Sequence, residues 1–439
     1  MKSRFEVLAA SVRQQWQLAS VRNLVSGGVT GIAITLSNRV MMLLTAVILA
    51  RLLGPDGYGI YAFAIAVMAV LSLGTEFGMY PLLVREVAVA HSKGDNPTVA
   101  GLRDNAFRFV LIASAIIGFV GVIVLWSTSL VEDVVERTAL TLVLLALPAN
   151  TTIRLSSAIL AGLRMIARAQ LVELFLLPAI LLGAMLLIFA SRIDANATMV
   201  MSVFVLCSMV ALALALIILR AGVQKNAGNR VLANKITGLQ SRSRPFLLMG
   251  AASVVTGQMD TVLVGMFLDN QSTALYRVAA QGATLIWFGI QILQSISSPY
   301  FARLYGAGDM SNVHRLFKWT TVLSVLSALP VIAIFILFGD RLIGLVFGQE
   351  YVAAHTLLTI LCIGYAINIA CGPIGSVLSM MGEEKFVSRV MIVSSVTNIV
   401  MALVLIQIFG AKGIAISTSF SVAFYHVALR LYGWRRFRL

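Results

Sequence analysis

The sequence predicts an all-α integral membrane protein of about twelve spanning helices. Three observations carry this. Of 439 residues, 59% are hydrophobic and 12% charged, about half the charged share of an ordinary soluble domain. The apolar residues come in runs of about 20, the length that crosses a bilayer as a helix. The basic residues alternate from one connecting loop to the next, the pattern of a chain threaded back and forth through a membrane.

Spans are expected near 25–50, 60–82, 104–126, 139–161, 170–190, 198–219, 246–268, 273–298, 316–338, 354–380, 387–409 and 412–432. Sorting lysine and arginine by loop places 25 with the termini and the even-numbered loops. Only 5, Arg51, Arg137, Arg192, Arg341 and Lys412, fall in the odd-numbered loops. Both termini are therefore expected in the cytoplasm. The formal charge of +15 then reflects topology and attraction to anionic lipid, and no nucleic-acid partner is expected.

The first 22 residues lack the apolar centre of a signal peptide. Phe5, Leu8, Val12, Trp16 and Ala19 recur at helical spacing, so residues 1–22 are expected to form an amphipathic helix on the membrane surface. The polar, glycine-bearing stretch 221–245 falls at the centre of the chain and reads as a linker. It divides an N-terminal half, 23–220, from a C-terminal half, 246–439. The halves share punctuation. Pro81 and Arg85 recur as Pro299 and Arg303, Gly94-Asp95 recurs as Gly308-Asp309, and Gly162 pairs with Gly382. Because each half has six spans, both keep one orientation, a parallel repeat about the membrane normal.

The remaining basic residues, Arg39, Arg154 and Arg277, lie within spans. An arginine at that depth costs several kcal/mol, roughly, unless it faces protein or water. Each sits on a polar helical face: Thr35, Asn38, Arg39, Met42 and Thr45; Asn150, Arg154 and Ser157; Arg277, Gln281, Thr284, Gln291 and Ser295. Ser253, Thr256, Gly257 and Asp260 form a fourth face, and Ser72, Thr75 and Glu76 a cluster. Two readings stand. These residues either line a cavity that binds an anionic substrate, with Asp260 or Glu76 coupling to an ion, or they join helices, Arg39 to Glu76 and Asp260 to Arg277. Arg277, nearest the outer interface, could also snorkel there. Glu173 is expected to be interfacial. Planar arginines suit phosphate and diphosphate, and Asn38, Asn150 and Gln281 suit sugar hydroxyls.

No enzyme chemistry is legible. The histidines, His91, His314, His355 and His426, are scattered, and no phosphate loop, nucleophile elbow or metal-spaced cluster is present. No cofactor or metal is expected. Cys207, Cys362 and Cys371 lie in apolar runs and read as small core residues.

The run Ala50-Arg51-Leu-Leu-Gly-Pro-Asp-Gly-Tyr-Gly-Ile-Tyr-Ala, with Phe77-Gly78, Arg85-Glu86 and the glycine-bounded end of the fourth span, resembles polysaccharide-precursor flippases. These belong to the multidrug/oligosaccharidyl-lipid/polysaccharide exporter superfamily. The likeness covers the whole layout, and about 24–90 carries its motif. It implies two six-helix lobes in a V around a central cavity. It implies a polyprenyl-diphosphate-linked oligosaccharide turned from the cytoplasmic to the outer leaflet of a bacterial inner membrane, for cell-surface polysaccharide. Expected partners are that lipid-linked substrate, membrane lipids and glycan-assembly proteins such as a polymerase, with a monomeric transporter. A multidrug or organic-cation antiporter would prefer acidic cavity residues. A membrane-embedded glycosyltransferase or ligase would need larger outer loops.

Overall fold

The computed structural model describes residues 19–129, 131–224 and 239–438. The amphipathic segment and most of the central linker fall outside the described residues, as do the side chains of Ser253 and Thr256. The described chain is helical throughout, with no strand. Its helices are α1 (Ala19–Glu76), α2 (Met79–Ser92), α3 (Asn96–Ser127), α4 (Val134–Gly162), α5 (Ile166–Ala190), α6 (Ala197–Gln224) and α7 (Leu239–Phe267). They continue as α8 (Asn270–Gly306), α9 (Met310–Val346), α10 (Ala354–Cys371), α11 (Ile374–Met380), α12 (Glu384–Phe409) and α13 (Ala411–Phe437). Among the described residues, nine helices are long and apolar enough to cross a membrane. That number differs from twelve partly because α1 holds the first two expected spans and α8 is rich in glutamine.

Four breaks shape this fold. Gly54 has φ 65° and ψ −179° inside α1, a conformation open essentially to glycine alone. Pro55 follows, at the start of a helical arm, where its missing N–H costs nothing. The turn is therefore confined to Gly54. Gly57 and Gly59 are already helical. Gly59 instead permits a close approach, since a Cβ there would lie 1.9 Å from the Asn270 carbonyl oxygen. Phe77 and Gly78, both at positive φ, separate α1 from α2, so the expected 60–82 span is not continuous. Gly372, at φ 71°, divides the expected 354–380 span into α10 and α11. A π-helical turn, Leu171–Leu176, widens α5.

The helices pack in two groups. In the first, α4 meets α2, α3 and α6, and α5 meets α1 and α6. In the second, α8 and α9 meet α10, while α13 meets α10 and α12. Across the groups, α1 lies against α7 and α8. Leu49, Ala50 and Tyr58 of α1 share a core with Tyr276, Ala279 and Tyr351. Between spanning helices such a core is held by close van der Waals packing rather than by removal of the side chains from water.

The shared punctuation is visible in the backbone. Gly94 and Gly308 are both left-handed, and Asp95 and Asp309 cap α3 and α9 by accepting from the Thr98 and Asn312 amides. Hydrogen bonds from Thr98 and Asn312 hold these two carboxyls below their usual pKa. The geometric counterpart of Gly382 is Arg164, not Gly162. Arg164 (φ 61°) and Gly382 (φ 88°) each end a helix, with N–H bonds to Ala161 and Ser379 respectively. Met165 and Glu383 then donate to Leu160 and Leu378, so both sites form the same helix-ending motif.

Gly59→Ala should force α1 off the α7–α8 junction and cost about 1–3 kcal/mol, the range for overpacking. Gly183→Ala, with open space around it, should be neutral. Thermal unfolding of the purified variants checks this, and equal melting temperatures would contradict the close approach.

Candidate functional site

The N-terminal group holds a buried polar network. Glu76 ends α1 where the chain breaks. Its buried carboxylate meets Arg154 of α4, Nε to Oε1 3.2 Å, while the arginine side chain stays 45% exposed. The Arg154 guanidinium lies 5.8 Å from the Tyr80 ring centre. The Tyr80 hydroxyl donates to Glu173 Oε2 at 2.6 Å, and Ser157 donates to the same oxygen at 2.9 Å. Glu173, on the π-helical turn of α5, thus ties that helix to α2 and α4. Asn150, on the Arg154 face, donates to the Ala146 carbonyl at 3.0 Å and to Ser208 at 3.2 Å, joining α4 to α6.

The C-terminal group holds a second network. Asp260 of α7, 6% exposed, accepts three hydrogen bonds. Tyr276 of α8 donates at 2.9 Å, Asn398 of α12 at 2.9 Å and Thr418 of α13 at 2.8 Å. No basic group pairs with Asp260 among the described residues. Asn398 Oδ1 is buried without a hydrogen-bond partner among them. Arg277 does not pair with Asp260. It also does not snorkel outward: its Nη1 is 3.4 Å from Gln258 Oε1 of α7, and its guanidinium neighbours the Tyr58 hydroxyl of α1. It therefore stands where the two groups meet. Gln281, one turn further along α8, is half-buried.

The expected Arg39–Glu76 pair does not form, because Arg154 holds Glu76. Arg39 is half-buried in α1 and has no ion pair or hydrogen bond among the described residues. Its neighbour Asn38 is buried, with Oδ1 lacking a hydrogen-bond partner among them. Arg39 thus presents a planar cation without an ion-pair or hydrogen-bond partner among the described residues. Tyr80, Tyr276, Asn398 and Thr418 were not singled out by sequence. A polar side chain inside an apolar run was their only signal.

The two groups touch at both ends. Near Gly54, Arg51 Nε donates to the Val346 carbonyl at 2.9 Å and its Nη2 to that of Leu345, capping the end of α9. The Tyr351 hydroxyl donates to the Ala50 carbonyl at 3.0 Å. Near Gly78, the α2 start lies against the Ser243 and Leu247 backbone, and Arg85 sits 5.5 Å from the Phe246 ring centre.

Residues 48–356 match the sequence profile of a family described as "Polysaccharide biosynthesis protein". The chain belongs to this family. Within reach of it lies a putative O-antigen transporter of Shigella flexneri, 22% identical over 391 residues, covering 85% of this chain and 89% of that one. A probable low-salt glycan biosynthesis flippase, Agl15, of Haloferax volcanii is 24% identical over 165 residues. That match spans 38% of this chain and only 35% of the relative's length. Among solved structures, the lipid II flippase MurJ in an inward closed conformation superposes with TM-score 0.70 at 14% identity, covering 93% of this chain and 87% of MurJ. An inward-facing multidrug resistance MATE family transporter gives 0.68 at 14%, covering 94% and 98%. At these identities the likeness establishes the fold alone.

Arg154→Ala would leave Glu76 buried and unpaired, a loss of about 1–3 kcal/mol, moderated because the guanidinium is half exposed. Adding Glu76→Gln should recover most of it. Arg39→Ala should stay within about 0.5 kcal/mol of the parent. Melting temperatures in detergent decide. A large loss in Arg39→Ala, rescued by Glu76→Gln, would restore the rejected pairing.

Proposed function

We propose that this protein is a flippase for a polyprenyl-diphosphate-linked oligosaccharide, moved from the cytoplasmic to the outer leaflet of the bacterial inner membrane by alternating access. Its product supplies cell-surface polysaccharide. The observation that carries the reading is Arg39: half-buried, at span depth, and unpaired among the described residues while Glu76 and Asp260 are both engaged. A free guanidinium offers diphosphate two parallel charge-assisted hydrogen bonds. Arg277, at the meeting of the two groups, and the exposed side of Arg154 extend the cationic lining, and Asn38 and Gln281 supply sugar-directed polar groups. The family and the names of the relatives support the same substrate class.

The two groups act as lobes of six helices each, with residues 221–245 as a cytoplasmic link and both termini cytoplasmic. The Arg51 and Tyr351 contacts hold one side shut, and the Gly78 and Arg85 contacts the other. Parting one set gives the V. Asp260 is the ion-coupling residue, because it is a buried carboxylate without a counter-charge, whereas Glu76 has Arg154. Asp260→Asn should therefore abolish gradient dependence of transport while leaving substrate binding intact.

In cells, Arg39→Ala should abolish export of the glycan with the protein inserted at normal abundance. Arg39→Lys, which keeps charge but loses the planar fork, should retain part of it. Full export by Arg39→Ala would overturn the proposal. Cysteines placed in 127–137 and 226–240 should label from opposite sides of the membrane, and labelling of both from outside would overturn the topology.

A further inference from the structure

Away from the junction of the two groups, α9 and α13 flank a half-open cavity of about 260 Å³ lined by His314, Phe317, Lys318, Thr321, Val322 and Arg430. Lys318 is 8 residues past the start of α9, and Arg430 is 7 short of the end of α13. At about 1.5 Å per residue, both lie roughly 10–12 Å inside these helix ends. The same end carries Arg435 and Arg436, and exposes Trp319 (58%) and Trp434 (62%). Exposed tryptophans with arginines mark headgroup depth.

The basic groups around the cavity are unequally occupied. His314 is tied down, its Nε2 2.9 Å from the Phe437 carbonyl and its Nδ1 2.5 Å from that of Met310. It fixes the α13 end onto α9. Arg430 stacks on Phe317, 4.7 Å from the ring centre, yet its Nη1 is buried and has no hydrogen-bond partner among the described residues. Lys318 is exposed and makes no ion pair among them. No carboxylate lines the cavity. Glu383, on the loop before α12, accepts from Tyr432 at 2.9 Å. The rest of the wall is Phe317, Val322 and the methylene stems of Lys318 and Arg430. Two available cations over an apolar wall suit an amphiphile better than a free phosphate.

We propose that this cavity is a binding site for the phosphate headgroup of an anionic phospholipid in the leaflet beside it, cytoplasmic in the topology given above. Lys318 and Arg430 hold the phosphate, the Thr321 hydroxyl lies within the same wall, and the glycerol and first acyl carbons rest on Phe317 and Val322. Basic pockets between helices on the cytoplasmic side are the form such sites take. The site is separate from Arg39 and stands whichever glycan is carried.

The test uses the full-length protein purified in mild detergent, with no transport step, so it is independent of the flippase reading. Phosphatidylglycerol, cardiolipin, phosphatidylcholine and a polyprenyl diphosphate are titrated in turn, with retention read by native mass spectrometry and stability by melting temperature. The parent should retain phosphatidylglycerol or cardiolipin and melt higher with either, but not with phosphatidylcholine. Lys318→Gln should weaken that binding by about tenfold or more with an unchanged lipid-free melting temperature. Arg430→Gln should do the same while also losing the Phe317 stack, and Arg430→Lys should fall between. If Arg430→Gln does not fold, Lys318→Gln and Arg430→Lys decide. Parent-like affinity in both would overturn the proposal. So would equal binding of phosphatidylcholine, or a parent that retains neither anionic phospholipid while Lys318→Gln loses the polyprenyl diphosphate, which would make the cavity a substrate entry site.

Discussion

The structure turns on the cost of a charge in hydrocarbon. An arginine or aspartate at the centre of a spanning helix costs roughly 2.5–3.5 kcal/mol on insertion scales, so each such group must be paired, hydrogen-bonded or in use. Glu76 is paired with Arg154. Asp260 gathers one donor from each of three other helices. Those two solutions also fasten helices together, α1 to α4, and α7 to its neighbour α8 and to the more distant α12 and α13. Arg39 has neither solution among the described residues, and on that asymmetry the proposed diphosphate role rests.

The helix breaks follow from the same constraint. A spanning backbone can leave the helix only where other groups satisfy it. The Phe77–Gly78 break directly follows Glu76, and the π-helical turn carries Glu173 to Tyr80 and Ser157. The Gly372 break presses on Thr321, whose Oγ1 would lie 2.1 Å from a Cβ at that glycine. The irregular backbone therefore lies beside the polar side chains and the closest helix contacts, while the lipid-facing lengths of α3 and α9 stay regular, with Phe119, Leu326 and Leu337 exposed.

The all-helical membrane class was legible because apolar run length and loop charge are one-dimensional quantities. Every expected span falls in a described helix or helix pair. The polar faces of α1, α4 and α8 were also legible, since helical spacing alone puts Arg39 beside Asn38 and Arg277 on the Gln281 face. Pairing was not. Arg154 and Glu76 are 78 residues apart, and only packing chooses Arg154 over Arg39 as the partner. Gly54, Gly57 and Gly59 are indistinguishable in sequence, but Gly54 supplies the positive-φ backbone and Gly59 a close contact with Asn270. Arg164 shows the converse: a non-glycine residue occupies the left-handed position that glycine marks at Gly382.

The central claim is that Arg39 is free to bind diphosphate, and direct affinity tests it most closely. A polyprenyl-diphosphate-linked saccharide should be titrated against the purified parent and Arg39→Ala, with the corresponding monophosphate as comparison. The account predicts at least about tenfold weaker binding of the diphosphate in Arg39→Ala, the worth of one charge-assisted contact, and a smaller change for the monophosphate. Unchanged diphosphate affinity in a stable Arg39→Ala protein would contradict it.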